Sequence, residues 1–141
     1  MRRVKSILIV VMIFVMATVS GFAVEICVDG NFVQFNDNMG YPFIDSHNRT
    51  QVPLRATMET CGCNVDWNSA YRIAIVQHGG TTVQVPIGES YILVNGRKVE
   101  NDTVAIIRNS RTYLPIRAVL EAFGMTVSWN AQDKYVIVKT K

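Results

Sequence analysis

The sequence predicts an α+β fold, an antiparallel, strand-rich module of two pseudo-repeated hairpin-strand-helix-strand-strand units with short helices packed on the sheet. Three observations predict it. A stretch of sequence recurs at a constant offset, proline-started segments carry apolar residues at helical spacing, and alternating apolar and polar runs are divided by glycine-containing turns. At 141 residues the chain has room for one ordinary domain, or for two very small ones sharing a core.

The repeat is the strongest of the three. When residues 49–68 are laid on residues 111–130, an offset of 62, ten of the twenty positions are identical: Arg49, Thr50, Pro53, Arg55, Ala56, Glu59, Gly62, Val65, Trp67 and Asn68 in the first copy. Their counterparts include Arg111, Thr112, Pro115, Arg117, Glu121, Gly124 and Trp129. The two units span about residues 26–77 and 91–139.

Each unit opens with a hairpin. Asp29-Gly30 and Asn95-Gly96 stand between short apolar runs, where a two-residue turn demands positive φ. Short strands at 50–52 and 112–114 then run into Pro53 and Pro115, which lack an N–H and preset φ for a first helical position. From each proline a helix of about nine residues is expected, with stripes of Leu54, Met58 and Cys61 and of Ile116, Val119, Leu120 and Phe123. Gly62 and Gly124 are placed to end these helices in the left-handed conformation. Helices this short do not hold alone in water, so a sheet must cover their apolar stripes. Strands follow at Val65–Trp67 and Val127–Trp129, then at 73–76 and 135–138. Between the units, Val83, Val85 and Ile87 share one strand face.

Residues 1–23 read as a signal peptide and 24–141 as the exported module. Arg2, Arg3 and Lys5 precede an apolar run from Ile7 to Val19, and Ser20, Gly21 and Ala23 form a cleavage zone. The run is shorter than the roughly 20 residues of a spanning helix, so contact with a membrane is expected only through this segment if it stays uncleaved. Cys27 does not sit in a lipobox, which argues against lipid anchoring. The chain has 14 basic and 11 acidic residues, and the leader accounts for three of the basic ones. A neutral mature protein lacks the electrostatic footprint of nucleic-acid binding.

Three cysteines remain, Cys27, Cys61 and Cys63. Cys27 could form a disulfide with Cys61 or Cys63, or all three could be small buried apolar residues. Cys61-Gly62-Cys63 with His47 or His78 does not follow zinc-ligand spacing, and no metal or other cofactor is expected. His47 and His78 read as solvated loop residues.

Arg55 with Glu59, and Arg117 with Glu121, stand four apart, on one helix face each. No nucleophile or titrating base recurs beside them, so they read as structural charge pairs rather than as a catalytic set. Trp67 and Trp129 could stack on a sugar, but each follows a valine on an alternating face and reads as core. Phosphate loops and a Ser-His-Asp set are not recognisable.

The paired motif Arg-Thr-x-x-Pro-x-Arg-Ala-x-x-Glu-x-x-Gly-x-x-Val-x-Trp-Asn, preceded by Asp-Gly or Asn-Gly, resembles the copper amine oxidase N-terminal-like (stalk) domain of exported proteins of Gram-positive bacteria. The resemblance covers about residues 26–139. It implies strands curled around short helices in a non-catalytic accessory module. It implies no oxidase activity, because two histidines cannot supply the three copper ligands of that family. The expected function is a non-enzymatic, secreted or extracytoplasmic module of the cell envelope, contacting a cell-wall or envelope component or another protein. One alternative is a glycan- or peptidoglycan-binding module, marked by aromatics such as Tyr41, Tyr71, Tyr91 or Tyr113 exposed on one sheet face. Another is a thiol or metal carrier using the cysteines. A homodimer through an uncovered sheet edge stays open.

Overall fold

The computed structural model describes residues 24–141, so the expected leader lies outside the described residues. Among the described residues no helix is long and apolar enough to cross a membrane.

The first half of the chain holds β1 (Glu25–Val28), β2 (Asn31–Phe32), β3 (Phe43–Ile44), β4 (Thr50–Pro53), α1 (Leu54–Thr60), β5 (Asn64–Asn68) and β6 (Ile73–His78). After β7 (Thr81–Pro86) come β8 (Tyr91–Val94), β9 (Arg97–Glu100), β10 (Ile106–Arg108), β11 (Arg111–Pro115), α2 (Ile116–Ala122), β12 (Thr126–Asn130) and β13 (Tyr135–Lys139). A shift of 62 residues carries α1 onto α2 and β5 onto β12, residue for residue. Both hairpin turns have two successive residues at positive φ, Asp29-Gly30 at 49° and 89° and Asn95-Gly96 at 50° and 84°. That is the mirror-image turn whose twist suits a hairpin.

The described residues form three sheets, ordered β12-β13-β1-β2, β10-β11-β4-β3 and β5-β6-β7-β8-β9. The middle sheet joins the halves. There β4 and β11 run antiparallel, with Val52 opposite Leu114, its counterpart 62 residues on. Tyr113 pairs with Pro53 and Gln51 with Pro115.

The pairing is not wholly antiparallel, because β1 and β13 run parallel from Glu25↔Tyr135 to Val28↔Val138. The reason is an extra strand. The β8–β9 hairpin is reached from β6 through β7, antiparallel to both neighbours, whereas the β1–β2 hairpin docks on β13 directly.

Pro53 and Pro115 differ from expectation by one position. Both close a strand with extended ψ, 130° and 115°, and serve as N-caps. Each helix therefore has seven residues instead of about nine. The C-termini agree with each other closely. Gly62 (φ 84°) donates to the Glu59 carbonyl and Cys63 to that of Met58, while Gly124 (φ 83°) donates to Glu121 and Met125 to Leu120. These bonds satisfy carbonyls that a seven-residue helix would otherwise leave free.

The helices are held by burial, as their length requires. Leu54, Thr57 and Met58 of α1 and Ile116, Val119 and Leu120 of α2 face a single core with Val52, Val76, Val83, Val85, Leu114 and Val138. Met58 and Leu120 are wholly buried, and truncating either to alanine removes about 2–5 kcal/mol of stability.

Candidate functional site

The antiparallel register of β4 on β11 decides which motif residues meet. The start of each strand lies beside the end of the other, where a helix begins. Arg49 and Thr50 of the first half therefore share a surface groove with Arg117, Glu121 and Trp129 of the second. By the same geometry Arg111 and Thr112 share a groove with Arg55, Glu59 and Trp67. The first groove encloses about 1200 Å³ and the second about 580 Å³. The first is larger because edge strand β9 adds Arg97, Val99 and Glu100 to its wall.

Within each groove the helix pair forms as expected. Arg55 Nη1 donates to Glu59 Oε2 at 3.2 Å, and Arg117 Nη1 to Glu121 Oε2 at 3.0 Å, all with side chains about half exposed. Pairs this open contribute ~0–1 kcal/mol to stability.

The motif's other arginines do something the sequence did not reveal, since each reaches across to a loop of the opposite half. Arg49 Nε donates to Asp102 Oδ1 at 3.1 Å and Oδ2 at 3.0 Å, and Nη2 donates to Oδ2 as well. These bonds hold the Asp102 carboxyl below its ordinary pKa. Arg111 Nε donates to the Asn38 carbonyl at 3.1 Å and Nη2 to that of Asp37. Gly40 closes the same contact at φ 90°, facing the hydroxyl end of the buried Tyr113 and the Arg111 side chain.

Beside the larger groove lies a polar junction between the halves. Asp45 Oδ2 accepts from Gln51 Nε2 at 2.8 Å and from Thr103 Oγ1 at 2.5 Å, and Oδ1 accepts from the backbone N–H of His47 and Arg49. Burial pushes the Asp45 carboxyl up, but these donors outweigh it and hold it below the ordinary value. Gln51 and Thr103 are buried, and Gln51 Nε2 also donates to the Val104 carbonyl.

The expectation of a core position fails for Trp129, which is 42% exposed. It sits on β12, an edge strand, and its ring lines the groove instead of packing under a neighbouring sheet. Trp67 is half-buried and packs on the core from the rim of the smaller groove. Tyr41, Tyr71 and Tyr113 form no shared platform, since Tyr113 is buried edge-on to Phe43 while Tyr41 and Tyr71 are exposed in separate loops; Tyr91 is half-buried on β8 with Lys98 Nζ 4.5 Å from its ring centroid. His78 is also not a solvated loop residue. It ends β6, half-buried, with its ring edge-on to Phe123 at 5.9 Å and Nδ1 3.2 Å from the Gly62 carbonyl. His47 is exposed in a loop, beside Thr103.

Cys27, Cys61 and Cys63 are all buried, and no disulfide joins them in the structure. Burial first, then the neighbouring Cys63 and Asp29, push the Cys61 thiol up to about 12. Burial also raises Cys63. Neutral thiols are poor nucleophiles and poor metal ligands. Among the described residues no three His, Cys, Asp or Glu side chains gather as a metal-binding group, so these residues do not fit a copper ion.

Residues 27–138 match the family model described as the copper amine oxidase N-terminal domain. No curated protein matches the chain.

Proposed function

The chain belongs to the copper amine oxidase N-terminal domain family, and from that premise we propose that it is a non-catalytic accessory module, exported to the bacterial cell envelope, that binds a wall component through its grooves. In the parent family this domain is an accessory unit apart from catalysis. The observation that carries the reading is the reciprocal lining of the two grooves. The exposed members of the repeated motif converge there, and the motif's glycines and prolines shape the elements that bring them together. We read the two halves as copies of one unit, paired through like strands β4 and β11.

Export rests on the charge and hydropathy order of residues 1–23. The thiol-carrier alternative has no support from three buried cysteines, two of them with raised pKa.

Two measurements test the proposal. Expressed with its leader, the chain should be recovered outside the cytoplasm with an N-terminus near Val24. The secreted protein should be retained on isolated cell walls, and Trp129→Ala with Arg117→Ala should abolish that retention. Equal retention of wild type and double variant would overturn the groove as the binding surface.

A further inference from the structure

We propose that the two grooves are paired subsites for a neutral, hydroxyl-rich glycan, the larger one binding first. The inference rests on the wall-binding reading above and names its ligand class. It starts from the chemistry of the larger groove, where the substantially exposed Trp129 stands among polar side chains. Aromatic faces of this kind pack against the apolar C–H face of a sugar ring, while planar side chains at the ring's edge exchange hydrogen bonds with its hydroxyls.

Charge decides against an ionic polymer. The larger groove is lined by three cations, Arg49, Arg97 and Arg117, and three anions, Glu100, Asp102 and Glu121. Arg49 is held on Asp102 and Arg117 on Glu121, so their fields largely cancel. A phosphate or carboxylate polymer could engage Arg49 or Arg117 only by breaking these pairs, whereas a sugar hydroxyl can donate to the carboxylate or accept from the guanidinium with the pair intact. The smaller groove repeats the arrangement. Arg55 and Glu59 are paired, Arg111 is committed to two backbone carbonyls, and Trp67 stands at the rim. Half the volume and a half-buried indole make it the weaker subsite.

The chain contains two tryptophans, one per groove, so each groove carries its own reporter. Trp67→Phe leaves only Trp129 emitting, and Trp129→Phe leaves only Trp67. Both variants would be titrated with neutral hexasaccharides of β-linked N-acetylglucosamine and of β-linked glucose, and with a hexamer of galacturonic acid as the charged probe. The expected result is a saturable emission change with a neutral hexamer in both variants, about tenfold tighter for the Trp129 reporter. Arg117→Met, on an exposed side chain, should weaken that site about tenfold while leaving thermal unfolding unchanged. A response confined to Trp129 overturns the second subsite. A response to the acidic hexamer alone, or to none of the three, overturns the neutral-glycan assignment. Wall retention persisting through that last result would leave the accessory-module reading standing, and its loss as well would remove both.

Discussion

Replacing Gly40 with alanine tests the cross-clamp around Tyr113 and Arg111. A Cβ built on Gly40 would lie 2.4 Å from Tyr113 Oη, 2.9 Å from Arg111 Cδ and 3.2 Å from Tyr113 Cζ. None of these atoms can retreat easily. Tyr113 is 4% exposed and packed edge-on to Phe43, and Arg111 is held by the carbonyls of Asp37 and Asn38. Overpacking of this degree costs ~1–3 kcal/mol. The backbone adds its own term, since Gly40 has φ 90° and an L-residue in left-handed space costs ~1–2 kcal/mol. The sum is a loss of about 2–5 kcal/mol, or roughly 8–20 °C in Tm at roughly 4 °C per kcal/mol for a domain of this size. Urea denaturation at constant slope measures it. Gly124→Ala is the internal control, because it shares the positive φ (83°) but its Cβ would meet nothing within 4 Å. If both substitutions cost the same, the contact with Tyr113 contributes nothing and the clamp is misread. Gly40→Ala combined with Tyr113→Phe should recover part of the loss, since the closest atom is then gone.

Gly124→Ala by itself should cost ~1–2 kcal/mol, the conformational term alone, read as a shift in urea midpoint. Asp45→Asn should cost ~1–3 kcal/mol, because an amide cannot accept all four of the hydrogen bonds the carboxylate accepts. The folded Asp45 carboxyl lies below its ordinary value of 3.8, so its contribution is complete above that value and is lost as pH falls through the lower folded one. Urea midpoints measured down the acid limb should therefore drop less steeply in Asp45→Asn than in wild type, and parallel curves would refute the assignment. With Cys61 pushed up to about 12 and all three thiols buried, native protein at mildly alkaline pH should react negligibly with a thiol-specific reagent, and unfolded protein should react at three sites. One fast-reacting thiol in the native state would contradict the burial.

What could be read from the sequence was set by local chemistry. The Asp29-Gly30 and Asn95-Gly96 turns, the helix-ending Gly62 and Gly124, and the inward Val83 and Val85 each follow from a residue's own backbone preference or from strict alternation. What escaped depends on distant partners. Alternation separates the two faces of β12 but does not say which is covered, and Trp129 lies where no neighbouring sheet covers it. The parallel β1–β13 pair joins opposite ends of the described chain, which no short-range pattern encodes. Arg49 and Arg111 were visible as a repeated pair, yet their partners are unlike, a carboxylate 53 residues away and two carbonyls at separations of 73 and 74. The candidate grooves were hidden for the same reason: they exist only after β4 meets β11.

That dependence separates the two grooves as targets for mutation. Neither half can form a groove alone, because Arg49 and Thr50 need the helix of the second half and Arg111 and Thr112 need the helix of the first. In the larger groove the lining is superficial: Trp129, Arg117 and Glu121 are each substantially exposed, and an open ion pair carries ~0–1 kcal/mol. Substitutions there should change what the protein holds without changing how well it folds. In the smaller groove Trp67 packs against the core, and Arg111 ties down the loop that Gly40 ends, so binding and stability respond to the same side chains. A loss of binding is therefore interpretable at Trp129 directly. At Trp67 it is interpretable only when the unfolding midpoint is measured on the same sample and found unmoved.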